Sequence, residues 1–176
     1  MDYKKFLIQQ QTYDGVNYTD VGNVKDSYVE WKVVCKDIPF KFLPETKELA
    51  TRDWYDEHGE EVFIPTSGVM FKAYDLDIEF LYVGDQTEIT QDLKGFIKFI
   101  TGRNSNGAPM LKFYDEYTDD GRQGLYVKSV DEKLFLYDDS DTEAIASFTV
   151  KFRVTDPVTE MTTSGSEENI SIVERS

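Results

Sequence analysis

The stretch of residues 69–83, VMFKAYDLDIEFLYV, constrains the fold more than any other part of the chain. Met70, Tyr74, Leu76, Ile78, Phe80 and Tyr82 share one parity, and Asp75, Asp77 and Glu79 share the other. A period of two is the signature of a strand with one apolar face, because a helix would scatter these residues around its circumference. One long strand cannot bury its own apolar face, so a sheet must be built around it. The acidic row Asp75, Asp77 and Glu79 predicts a negatively charged outer face on that sheet, unsuited to lying against nucleic acid.

Residues 3–11 read as a first strand, followed by the turn-rich YDGVNYTDVGN, and a second strand is expected over 27–36, SYVEWKVVCK. Pro39 and Pro44 interrupt the chain, and residues 45–60 are expected to open with a short helical turn and to end in a polar loop reversed at Gly59. The period then changes. Ile89, Leu93, Phe96, Ile97 and Ile100 form one stripe of an amphipathic helix at about residues 88–101. Asp85 and Glu88 have capping-box spacing and Gly102 is a C-terminal cap candidate. MLKFYDEY and QGLYVKSV flank TDDGR as a hairpin, DEKLFLYDD adds a short strand, and residues 145–154 alternate again with Ala146, Phe148, Val150, Phe152 and Val154 facing in. The expectation is a mainly β protein, an antiparallel sandwich or barrel of about eight strands with one flanking helix. Residues 1–157 would form a single domain. Residues 158–176, rich in Ser, Thr and Glu and without aromatics, would form a flexible tail.

The chain has 176 residues, 12 of them Phe and 11 Tyr, which is material for a real core. Its 34 acidic and 19 basic residues leave a net charge of −15. That charge argues against tight nucleic-acid binding and suits either ordinary solubility or a surface that stays near a polyanion without adhering. Cys35, the single cysteine, lies in an apolar run, where a thiol is usually a small buried hydrophobe and no intrachain disulfide is possible. The amino terminus has no signal-peptide core and no segment approaches a membrane span, so a soluble intracellular protein is expected.

Catalytic chemistry has little to stand on. Asp138, Asp139, Asp141 and Glu143 could offer oxygen ligands to calcium, but they lack EF-hand spacing and read better as a solvated turn. The single histidine, His58, sits among acidic neighbours in a loop without a second soft ligand. Trp31, Trp54, Tyr55 and Tyr74 could line a carbohydrate groove, although aromatics in strands more often serve a core or an interface. No phosphate-cradling loop and no Ser-His-Asp set can be assembled. No enzyme activity, metal or cofactor is expected.

The order of segments resembles phage tail-tube and distal-tail structural proteins. The resemblance is carried by TRDWYDEHGEEVFIP (51–65), FKAYDLDIEFLYVG (71–84), ITQDLKGFIKFITG (89–102) and LKFYDEYTDDGRQGLYV (111–127). It implies a β-sandwich flanked by a helix, and a homo-oligomeric, hexameric ring in which a hairpin or loop reaches the next subunit. It further implies other tail proteins as partners, DNA passing without specific binding, no membrane, and a place in the virion after a stage in the host cytoplasm. Tail tube, distal tail and head–tail adaptor are not distinguished. On the hairpin, Tyr114, Tyr117, Leu125 and Tyr126 are candidate contacts between subunits, with covering of the subunit's own core as the equal alternative. A small β-sandwich module binding carbohydrate or peptide is the competing function.

Overall fold

The computed structural model describes residues 3–104, 107–137 and 143–176, with only the backbone considered over 132–137 and 143–144. The long alternating segment forms β6 (Tyr74–Asp85), and the side chains of Tyr74, Leu76, Ile78, Phe80 and Tyr82 are all buried on one face. It lies between β3 (Val33–Cys35) and β9 (Glu143–Val154) in a seven-stranded sheet. The sheet continues through β8 (Asp120–Tyr137), β7 (Met110–Asp115) and β1 (Leu7–Tyr13) to β2 (Tyr18–Asp26) at the far edge. All of these pairings are antiparallel. The mainly β, antiparallel architecture expected from the periodicity is the one observed.

Two adjacent expected strands, around QGLYVKSV and DEKLFLYDD, are a single strand in β8, whose pairing with β9 shifts register between Val127 and Ser129 and between Glu132 and Leu134. Such shifts are bulges, and they disguise one strand as two because each inverts the inward parity. Residues 27–36 are not one strand. Ser27–Trp31 form the short helix α1, capped by the Asp26 side chain, which accepts hydrogen bonds from the Tyr28 and Val29 amides. Lys32, in the left-handed region at φ 56°, ends it and turns the chain into β3.

Helix α2 (Ile89–Ile100) lies on the apolar face of the sheet and buries Ile89, Phe96, Phe99 and Ile100. The capping box is not made: Glu88 gives no side-chain cap, while Asp85 accepts from the amide and hydroxyl of Thr87. The C-terminus is a Schellman motif, with the Arg103 amide bonded to the Lys98 carbonyl and the Gly102 amide to that of Phe99. Gly102 has φ +69°, and an added Cβ would stand 2.5 Å from the Ala108 carbonyl oxygen. Gly102→Ala therefore carries both a left-handed backbone cost of about 1–2 kcal/mol and a clash with backbone. A thermal melt should show a drop of at least about 4 °C, and an unchanged melting temperature would contradict this cap.

The core centres on phenylalanines. Phe80 stands 5.4 Å from Phe6, 5.3 Å from Phe96 and 5.5 Å from Phe148, ring centre to ring centre. Trp31 of α1 closes over Phe96 and Phe99 at 5.4 and 4.8 Å. On the opposite face, residues expected to form a mobile tail carry a hairpin, β10 (Met161–Ser164) and β11 (Ser171–Glu174). Met161 and Ile172 are buried against Leu7 and Tyr114 in a second apolar cluster. The buried Lys112 fastens this hairpin: its ammonium donates to the Ile172 carbonyl at 2.9 Å and pairs with Asp20 at 2.6 Å. Two apolar side chains and one buried lysine dock a segment whose composition reads as disordered.

Candidate assembly surfaces

Between β3 and β6 the chain leaves the sheet and returns as an arm. Its base is held where the Lys41 amide donates to the Tyr74 hydroxyl at 3.1 Å and where the Arg122 guanidinium lies over the Phe40 ring at 5.4 Å. The two legs are tied by backbone bonds from Lys72 to Glu45 and from Lys47 to Met70, both 2.7 Å, and by a Lys72–Glu45 ion pair of 2.8 Å. Further out, β4 (Ala50–Arg52) and β5 (Glu61–Phe63) pair as a separate two-stranded sheet. The helical turn expected at the opening of 45–60 is absent, and those residues run extended in one leg of the arm, where Thr46 bridges Phe71.

Every residue from 50 to 67 is exposed. The apolar side chains of the arm are left in solvent: Phe42 at 82%, Leu43 at 76%, Tyr55 at 99%, Phe63 at 57% and Ile64 at 60%. An isolated two-stranded hairpin is marginal in water, and clustered exposed apolar residues mark surfaces covered by something else. The loop at the tip carries Asp53, Asp56, Glu57 and Glu60, none of which forms an ion pair among the described residues.

The hairpin residues singled out in the sequence divide. Leu125 is fully buried in the main core and Tyr114 is buried in the second cluster, so both cover their own subunit, which corrects their assignment as contacts to a neighbour. The reason is register: Leu125 stands opposite Leu111 and Val154, two inward positions. Tyr117 is exposed in the β7–β8 turn, where Asp119 takes up a left-handed conformation, and Tyr126 is exposed on β8. Asp75, Asp77 and Glu79 do project from the far face of β6, but the face is not bare negative charge. Asp75 pairs with Arg153 and Lys128, both at 3.0 Å, and these hydrogen bonds hold its carboxyl below the usual carboxylate range. Asp77 stands opposite Lys151, and Glu79 accepts from the Tyr3 hydroxyl at 3.1 Å. Bases on β8 and β9 flank the row and two of them pair with Asp75, an arrangement between distant strands that the alternation of β6 alone does not show.

The four candidate groove aromatics do not meet. Trp31 is buried beside α2 and Tyr74 in the core, while Trp54 and Tyr55 are on the arm, where Arg52 lies 4.3 Å over the Trp54 ring. His58 is exposed at the arm tip. Cys35 is buried, and burial pushes its thiol up to about 12, so it stays protonated and unreactive. The acidic segment Asp138, Asp139, Asp141 and Glu143 lies outside the described side chains. A groove of about 740 Å³ runs between β2 and the C-terminal hairpin. Its lysines are paired with carboxylates, Lys5 with Asp26 at 2.9 Å and Lys25 with Glu30 at 3.5 Å. Among the described residues no helix is long and apolar enough to cross a membrane.

Sheet and arm define a mainly β protein that presents an uncovered apolar projection from a rigid base. No protein-family model matches the sequence, and no curated protein matches it at a significant level. Among solved structures, the chain is similar to the Dit protein of SPP1, described as a hub of the adsorption apparatus in phages infecting Gram-positive bacteria. The TM-score is 0.48 with 13% identity, covering 89% of this chain and 54% of that one, so the chain spans about half the length of the Dit protein.

Proposed function

We propose that this chain is a non-enzymatic structural subunit of the phage or prophage tail type, which assembles into a ring as a tail-tube, distal-tail or head–tail adaptor component. The observation that carries the proposal is the arm of residues 41–73, with its exposed apolar side chains on a hairpin tied to a packed sheet. Covering a large apolar side chain contributes about 1.5–3 kcal/mol. The five most exposed therefore offer roughly 7–15 kcal/mol, against an association cost of about 4–15 kcal/mol. One arm contact alone is then marginal, and a closed ring, in which every subunit gives and receives an arm, turns marginal contacts into a stable assembly. The net charge of −15 fits a conduit along which DNA passes without adhering. Tyr117 and Tyr126, the two hairpin residues left on the surface, are available to the same interface or to other tail proteins.

Light scattering on purified protein over a range of concentrations tests this. The parent chain should form a ring or filament. Phe63→Asp combined with Ile64→Asp should yield a monomer that melts like the dissociated parent subunit, since both side chains are exposed in the subunit. A parent chain that remains monomeric at every concentration, or a double variant that assembles as well as the parent, removes the proposal.

A further inference from the structure

The arm is acidic as well as apolar, and the surface that receives it should be complementary in both respects. The surface around α2 meets that condition. Lys94 and Lys98 lie one turn apart on the exposed side of α2, and Arg103 follows just beyond its end. None of the three makes an ion pair among the described residues, in a chain where acids outnumber bases 34 to 19. Their helical neighbours explain this: the positions three and four residues from Lys94 and Lys98 hold Thr90, Gln91, Gly95, Ile97, Thr101 and Gly102, with no carboxylate. Lys98 and Arg103 suit the negative end of the helix dipole, but Lys94 is mid-helix and repels Lys98 from one turn away. Beside α2 lies α1, packed through Trp31, with Tyr28 and Val29 exposed. Lys32, at the end of α1, stands 4.9 Å over the Tyr28 ring.

We infer that the arm of one copy docks on this α1–α2 shoulder of a second copy, with Asp53, Asp56, Glu57 and Glu60 facing Lys94, Lys98 and Arg103, and the arm's apolar side chains meeting Tyr28 and Val29. Arm residues 50–67 and both lysines are exposed within the subunit, so the arm does not lie on its own helices and the contact is between copies. Two different patches then meet, which is the head-to-tail geometry that closes rings. The inference rests on the ring assembly proposed above and adds the receiving surface. Charge complementarity at such a contact raises the association rate and fixes register, and it weakens with salt.

Charge reversal tests it with two full-length variants, Asp56→Lys/Glu57→Lys on the arm and Lys94→Glu/Lys98→Glu on the helix. All four positions are exposed, and melting curves should match the parent. Each variant alone sets like charge against like and should need at least about ten times the parent concentration to assemble at low salt. Mixed in equal amounts, they restore opposite charges at every contact, arm of the first on helix of the second and the reverse, and assembly should return to the parental range. If the parent assembles and loses assembly with Phe63→Asp/Ile64→Asp, yet the charge variants behave like the parent or fail to rescue each other, the arm reading stands and the α1–α2 shoulder is not its receiver. If the parent never assembles, both fall together.

Discussion

Leu125→Asp should not yield folded protein, whereas Tyr117→Asp in the same hairpin should melt like the parent. Leu125 is fully buried between Leu111 and Val154 on neighbouring strands, among the apolar side chains of the main core. Burying an unpaired charge costs more than the total stability of about 5–15 kcal/mol that a domain possesses, unless the carboxyl takes up a proton, which is itself costly at neutral pH. Tyr117 is 72% exposed, and its ring contact with the Lys4 ammonium lies on the surface, where an aspartate still offers that lysine an opposite charge. Circular dichroism and the soluble fraction after expression report the outcome. A soluble Leu125→Asp with a native melting transition would show that β8 is out of register with β7 and β9.

The second large effect belongs to Phe80. Its ring meets those of Phe6, Phe96 and Phe148 within 5.5 Å and that of Phe152 at 6.3 Å, so β6 joins the residue just before β1, α2 and β9 through this one side chain. Phe80→Ala leaves a cavity among rings held by the sheet and the helix, which cannot collapse into it, and should cost about 3–5 kcal/mol. For a chain of this size that corresponds to a fall in melting temperature of about 6–20 °C. Phe42→Ala is the matched comparison: the same atoms are removed from an arm residue 82% exposed, and the melting temperature should not move at concentrations where the subunits are dissociated. Equal losses for the two variants would mean that the arm is folded against the subunit in solution.

The elements legible in the sequence are those whose burial is one-sided and regular. β6, β9 and α2 each present a complete apolar stripe to one core, so the stripe appears as a period of two or as a helical spacing. The elements that were not legible lack such a stripe. β2 is an edge strand with no fully buried residue, and its half-buried Tyr18, Val21 and Val24 are diluted by glycine, asparagine and aspartate. α1 is five residues long, too short to show any period, and its one local sign is the Asp26 cap. β10 and β11 owe their order to Met161, Ile172 and the carbonyl that Lys112 reaches, all contacts with residues far away in the chain.

The candidate surfaces follow the same division. Trp54, Tyr55, Phe63 and Ile64 are visible as apolar residues in a polar segment, but apolar residues are usually buried, and only the tertiary structure leaves these without cover. Asp75, Asp77 and Glu79 are visible as an acidic row, and only the β8–β9–β6 pairing brings Lys128, Arg153 and Lys151 beside it. Tyr114 and Leu125 look like their exposed neighbours Tyr117 and Tyr126 until register assigns their faces. The sequence by itself therefore determined the antiparallel class, the helix with its glycine stop and the apolar face of the longest alternating strand, because these depend on spacing within one element. Which side chains remain uncovered, which charges are cancelled and where the last eighteen or so residues pack were decided only by the tertiary structure, because burial and ion pairing depend on what distant strands bring alongside.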